Sequence, residues 1–240
     1  MTQPPFSDLP LQSALQDNLT SLGYTHMTAI QAQSLPSILA GDDVLGQGKT
    51  GSGKTAAFGL GLVEGLEVER FQVQGLVLCP TRELADQVAG EIRRLARSIP
   101  NIKVLTLCGG KPLGPQIGSL EHGAHIVVGT PGRVEEHLRK GTLRLGNLRK
   151  LVLDEADRML DMGFQPALES IFSHIPTKRQ TLLFSATFPK AVQTIAETIM
   201  ANPVKVQVEE AHDDASIRQH FHEVQNDGER ITAVRLLLLQ

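Results

Sequence analysis

Short apolar runs alternate along this chain with longer segments in which apolar positions recur every three or four residues. The short runs predict strands at Val44 to Gln47, Leu76 to Cys79, Val104 to Cys108, Ile126 to Gly129, Leu151 to Leu153, Thr181 to Phe184 and Val204 to Val208. Helical periodicity is clearest from Arg82 to about Ser98, where Leu84, Val88, Ile92 and Leu95 share one face. Further helices are predicted over Leu11 to Leu22, Ile30 to Leu39, Lys54 to Leu66 and Pro189 to Met200. Runs such as Leu76-Val77-Leu78 and Leu151-Val152-Leu153 do not alternate with polar residues. Strands buried on both faces by crossover helices have that character, so the pattern predicts an α/β fold of three layers around a mainly parallel sheet.

Composition changes this picture little. A hydrophobic share of 41% excludes a wholly disordered chain. The first residues lack the basic and then apolar pattern of a signal peptide, and no apolar stretch is long enough to span a membrane, so a soluble cytoplasmic protein without a membrane partner is expected. Cys79 and Cys108 each close an apolar run and read as small buried hydrophobes. The groupings His122 with His125 and His220 with His222 lack partners at zinc-like spacing and read as surface histidines. Net charge is −3, but residues 80–150 hold 12 Lys and Arg against 6 Asp and Glu, an excess suited to phosphates if the fold gathers it.

The chemistry concentrates after strands. Gly48-Lys49-Thr50-Gly51-Ser52-Gly53-Lys54-Thr55 fits G-x-x-x-x-G-K-[ST] between a predicted strand and a predicted helix, the setting of a phosphate-binding loop. Its glycines let backbone N–H groups converge on phosphates. Lys54 would reach the β- and γ-phosphates of a nucleoside triphosphate, and Thr55 would hold Mg2+. Asp154-Glu155-Ala156-Asp157 ends another strand, which would deliver it to the same sheet edge; Asp154 is assigned to Mg2+ and Glu155 to activating water. Thr81 and Thr130-Pro131 would open helices after strands, with Arg82 and Arg133 beside N–H groups able to hold a nucleic-acid backbone. A Thr-Pro pair that merely caps a helix is the alternative reading.

Together with Pro80-Thr81-Arg82-Glu83-Leu84-Ala85, Gly109-Gly110, Thr130-Pro131-Gly132-Arg133 and Ser185-Ala186-Thr187, these motifs stand in the order found in the DEAD-box family of ATP-dependent RNA helicases, which the chain resembles over almost its whole length. The resemblance implies a RecA-like P-loop domain. It implies ATP as cofactor, bound at Thr50, Gly51, Ser52, Gly53, Lys54 and Thr55, with adenine read by Gln31 and Phe6 and with Tyr24 in the same binding element. It further implies single-stranded RNA on Pro80, Thr81, Arg82, Gly109, Gly110, Thr130, Pro131, Gly132 and Arg133, and coupling of the nucleotide site to strand separation through Asp157, Ser185 and Thr187. Wording shared with a bacterial member that acts on ribosomal RNA implies a role in ribosome assembly.

The domain reading is a RecA-like unit over 1–208, a charged linker over 209–216 and the start of a second RecA-like domain over 217–240, with a strand at Phe221 to Val224 and a helix at Ile231 to Leu239. The family's His-Arg-x-Gly-Arg-x-Gly-Arg motif, which supplies a catalytic arginine from the second domain, is absent; the arginines after Val208 are Arg218, Arg230 and Arg235. The chain is therefore expected to bind adenine nucleotide with little RNA-stimulated hydrolysis and no unwinding. Residues 231–239, apolar and suited to the missing domain, are expected to self-associate or fold back. An ATP-gated RNA clamp without turnover, and a scaffold indifferent to ATP, remain open alternatives.

Overall fold

A computed structural model describes residues 3–208 and 221–238. They fall into two compact units, one ending at Val208 and one beginning at Glu209. The larger unit opens with a 3-10 turn at Phe6–Asp8 and continues α1 (Ser13–Ser21), α2 (Ala29–Ala40), β1 (Val44–Gln47), α3 (Lys54–Val63), β2 (Gly75–Leu78) and α4 (Arg82–Leu95). Then follow β3 (Val104–Leu107), α5 (Leu113–Glu121), β4 (Ile126–Gly129), α6 (Pro131–Arg139), β5 (Lys150–Asp154), α7 (Ala156–Asp161), α8 (Gln165–Phe172), β6 (Gln180–Ser185), α9 (Lys190–Ile199) and β7 (Val204–Gln207).

The seven strands form one sheet in the order β3-β4-β2-β5-β6-β1-β7, and every pairing is parallel. Alternate residues of each strand feed two cores. Val77, Val152, Leu182 and Phe184 pack against α1 to α4, and Leu76, Leu78, Leu151 and Leu153 pack with residues of α6 to α9. β2, β4, β5 and β6 are covered on both faces, which is why their sequences show no polar alternation, whereas β7 at the edge is mostly exposed and alternates Val with Lys and Gln.

One helix sits unusually deep. All of α3 except Thr55 is buried, and its two glycines admit neighbours where a Cβ would collide: Leu95 of α4 against Gly59, and Ile38 of α2 against Gly61. At its far end the ammonium of Lys150, on β5, donates to the carbonyls of Gly61 and Glu64, the latter at 2.8 Å. The helix that opens at the glycine-rich loop is thus fixed along its length, and its N-terminus has a defined place.

Several expectations shift. The helix predicted to run to Leu66 stops at Val63, because Glu64 turns extended and Gly65 takes φ +73°. His125 is fully buried rather than on the surface: its Nδ1 accepts from Lys103 N at 3.0 Å and its Nε2 faces Val68 O at 2.9 Å. In the smaller unit, Phe221 to Val224 is not a strand, and the helix α10 begins at Asp227 rather than Ile231 and runs to Leu237. Asn226 caps it by accepting from Glu229 N at 3.0 Å, while Glu229 Oε2 accepts from Gln225 N at 2.9 Å. Ile231, Val234 and Leu236 to Leu238 are exposed. The predicted linker over 209–216, Arg218, His220 and Leu239 lie outside the described residues. No helix among the described residues is long and apolar enough to cross a membrane.

Candidate functional site

All strands run the same way, so each delivers its last residues to one edge. Along that edge the chemistry divides: β5, β6 and β1 carry the acidic motif, Ser185 and the glycine-rich loop, whereas β3, β4 and β2 carry Gly109-Gly110, Thr130-Pro131 and Pro80-Thr81.

The loop from Gly48 to Gly53 curls through positive φ at Gly51 (+86°) and Gly53 (+99°). Gly48 N donates to Ser185 O at 3.1 Å, which pins the loop to β6. Thr28 Oγ1 donates to Ser52 O at 2.8 Å, and Gln31 Nε2 donates to Gly53 O at 3.0 Å. A Cβ on Gly53 would press on both side chains, so only glycine fits there. Lys54 is buried, and its ammonium donates to Gly48 O at 2.5 Å. A cavity of about 350 Å3 opens over this loop, bounded by Tyr24 and Gln31 at one end and by Asp154 and Glu155 at the other. Two larger concavities, of about 570 and 590 Å3, lie between α9 and β7 and beside the β3–β4 crossover, away from the phosphate loop and the acidic motif.

The base end of the cavity differs from the sequence expectation. Phe6 is 2% exposed and does not line the cavity; it sits in the core with its ring 5.7 Å from that of Tyr24, edge to face. The accessible aromatic is Tyr24. Its hydroxyl donates to Glu91 Oε1 at 2.5 Å, and burial together with that carboxylate pushes its pKa up to about 12. Glu91, with Arg94 paired to it at 2.9 Å, was not singled out from the sequence. Gln31 is buried, and half its amide is already used: Oε1 accepts from Thr28 N at 2.9 Å and Nε2 reaches Gly53. One N–H and one lone pair remain for a base. The spacing Thr28-x-x-Gln31 is that of a capping box, a signal in the sequence for this local use.

At the other end Asp154 is 3% exposed, and its Oδ1 has no partner. Burial, partly offset by the Lys54 ammonium and reinforced by Glu155, lifts its pKa to about 6. An orphaned buried carboxylate oxygen on the same cavity wall as Thr55 fits a bound divalent cation. The shift also has a stability consequence. Because the folded pKa lies above the unfolded value, the folded state holds the proton more firmly, and stability falls as pH rises from about 4 to about 6. Asp154→Asn is expected to stabilise the ligand-free chain by about 1–3 kcal/mol at pH 8, an effect that disappears near pH 4 and is read from urea melts at both pH values. A variant no more stable at pH 8 would contradict this account.

Glu155 adopts the left-handed conformation, φ 54° and ψ 53°, rare for a residue with a side chain. Its Oε1 accepts from Thr50 Oγ1 at 3.1 Å and its Oε2 pairs with Arg158 at 3.2 Å, so the carboxylate faces the loop. Asp157 meets both expected partners: its N–H donates to Ser185 Oγ at 3.2 Å, and its Oδ2 accepts from Thr187 N at 2.9 Å and Thr187 Oγ1 at 2.8 Å. Burial alone would raise its pKa, but the bonds from Thr187 and Ser185 outweigh it and hold the carboxyl below its usual range.

On the other half of the edge, Thr81 caps α4 by accepting from Leu84 N at 3.3 Å, and Arg82 is half-exposed. Pro80, Thr130 and Pro131 are buried, and Gly109, Gly110 and Gly132 lie at the surface beside them. Arg133 departs from expectation. Its side chain is 11% exposed, with Nη1 donating to Lys111 O and Gln116 Oε1, both at 3.0 Å, and Nε to Glu136 at 3.1 Å. It holds the loop that follows β3 instead of offering a free guanidinium. Gln116 and the buried His137, both missed from the sequence, complete this cluster. Burial, with Arg133 alongside, keeps His137 below the usual imidazole range. Cys79 and Cys108 are buried free thiols, and burial pushes both thiols up.

The sequence pattern of the DEAD/DEAH box helicases matches residues 28–195, which contain the phosphate loop, the acidic motif and all three strand-end motifs of the other half. The chain belongs to the DEAD/DEAH box helicase family. It is 54% identical over 229 residues to the ATP-dependent RNA helicase DbpA of Escherichia coli K12, covering 95% of this chain and 50% of that protein. It is 44% identical over 236 residues to the DEAD-box ATP-dependent RNA helicase CshA of Bacillus subtilis, covering 98% and 48%. A crystal structure of a DEAD-box protein from the hyperthermophile Methanococcus jannaschii superposes with a TM-score of 0.81 at 38% identity, covering 98% of this chain and 63% of that one. The chain thus spans about half the length of the curated relatives it matches.

Proposed function

We propose that residues 1–208 form the N-terminal ATP- and RNA-binding domain of an ATP-dependent RNA helicase and that the remainder begins a second RecA-like domain. The observation that carries this reading is the divided sheet edge, with phosphate-loop and acidic motifs at the ends of β5, β6 and β1 and backbone-binding motifs at β3, β4 and β2. Lys54 and the N–H groups of Thr50 to Thr55 hold the ATP phosphates, Thr55 and Asp154 hold Mg2+, and Glu155 orients and deprotonates the attacking water. The cation, when bound, neutralises charge on the β- and γ-phosphates. Tyr24 stacks on the base and Gln31 reads its edge, while Phe6 backs Tyr24 from the core. Thr81, Arg82, Gly109, Gly110 and the start of α6 hold a single RNA strand by its backbone, with Arg133 in a supporting role. Asp157, Ser185 and Thr187 link the two halves. The finer reading, remodelling of ribosomal RNA in the cytoplasm during ribosome assembly, rests on the wording shared around the motifs, Lys49 ahead of Thr50 included. By itself this chain is expected to bind nucleotide without unwinding duplexes.

The test is nucleotide selectivity. Calorimetry should show ATP and ADP bound about 10-fold or more tightly than GTP, and Gln31→Ala should cut that ratio to within about 3-fold, since two hydrogen bonds to a base edge discriminate by about 1–3 kcal/mol. Equal binding of GTP by the unaltered chain would remove the adenine assignment.

A further inference from the structure

Gln116 lies on α5, outside every motif of the proposed site, yet its buried amide joins three pieces of the RNA-facing half. Its Nε2 donates to Cys108 O, the last carbonyl before Gly109-Gly110, at 3.0 Å. Its Oε1 accepts from Arg133 Nη1 and from His137 Nε2, each at 3.0 Å. The arrangement leaves no freedom of assignment: a guanidinium only donates, so the atom facing it is the oxygen, and His137 must carry its proton on Nε2. The other ring nitrogen, Nδ1, lies 2.8 Å from the Thr142 hydroxyl, which also stands 3.2 Å from His137 O.

Arg133, anchored by Gln116, donates to Lys111 O at 3.0 Å. The loop after β3 is therefore held at Cys108 by Gln116 itself and at Lys111 through Arg133. Between those anchors Gly110 takes φ +74°, and the Arg82 guanidinium lies so close that a Cβ on Gly110 would overlap it. Where Arg82 rests depends on where this loop rests. We propose that Gln116 is a positioning residue for RNA, setting the Gly109-Gly110-Lys111 loop and through it the Arg82 guanidinium. This rests on the RNA-binding reading of the edge and deepens it.

The experiment compares the whole chain with Gln116→Ala and Gln116→Glu. Glu keeps an oxygen for Arg133 and His137 but turns its second oxygen toward Cys108 O, exchanging a donation for a repulsion there. Three quantities are measured on each protein: amide exchange at residues 108–111, affinity for a fluorescent uridine decamer in low salt, and affinity for ATP. Gln116→Ala should speed exchange at 109–111 on the order of 10-fold and weaken the decamer by a similar factor, with β4 still protected and ATP affinity unchanged. Gln116→Glu, which keeps the Arg133 anchor at Lys111, should lose less at Lys111 than Gln116→Ala while still loosening Gly109. His137→Asn, which removes one of the two donors and leaves Gln116 in place, should give the same pattern at smaller size and serves if Gln116→Ala does not fold. Unchanged exchange at 109–111, or a uniform loss of protection throughout the unit, overturns the proposal. If exchange responds while the unaltered chain does not hold the decamer, Gln116 still governs the loop and it is the RNA reading that falls.

Discussion

Glu155→Gln is expected to lower ATP turnover by about 100-fold or more while leaving the affinity for Mg2+ and ATP within a few-fold. The geometry separates the two roles. In the proposed assignment Asp154, with its unpartnered Oδ1, and Thr55 would serve the cation, whereas Glu155 accepts from Thr50 and is held by Arg158. Its left-handed backbone turns the carboxylate back toward the loop, and glutamine retains that shape and the bond from Thr50 without the basicity. Turnover is measured as phosphate release in a polypeptide of the relatives' length carrying this chain, with and without RNA. Near-normal release by that variant would mean that another group activates the water.

Lys54→Ala should weaken triphosphate binding by about 100-fold or more, since removing one partner of a buried, hydrogen-bonded charge pair costs about 2–5 kcal/mol. ATP and GTP should suffer alike, because both residues line the cavity and the proposed reading gives the phosphates to Lys54 and the base to Gln31. That shared loss distinguishes it from Gln31→Ala, which should alter the ratio of the two nucleotides and not their common floor. Isothermal titration of both nucleotides into both variants decides the matter. A lysine variant selective against one base would show that the loop also senses the base.

The sheet was legible in the sequence because its inner strands are dry on both faces and six of the seven strands end in recognisable chemistry; all seven appear within two residues of their expected ends. The helices on the second face were harder. α5 contains Gly114, Pro115 and Gly118, poor helix formers that tertiary packing overrides, and α7 has six residues, too few for a period to show. Within the site, loop and acidic motif could be placed because their spacing is itself the chemistry. Phe6 was expected at the base and Tyr24 is the ring that lines the cavity, since which ring is buried depends on how the 3-10 turn docks beside Thr25. Arg133 left a trace that was available: Glu136 three residues on is a helical ion-pair partner competing for the guanidinium. Gln116 left none, being one polar residue on a weakly marked helix.

The order of strands also bears on how the two ligands affect one another. From β4, central to one half of the edge, to β6, central to the other, is three strand spacings, about 14 Å. Two unit charges that far apart in water repel by only about 0.3 kcal/mol, and the gap exceeds the screening length of about 8 Å in physiological salt. RNA and triphosphate, both polyanions, would therefore load this edge almost as strangers, neither expelling nor recruiting the other by charge. Any cooperativity between them has to be carried by parts that move, and Asp157, clasped to Ser185 and Thr187 at the end of the strand between the acidic motif and the phosphate loop, is placed where such a movement would be felt.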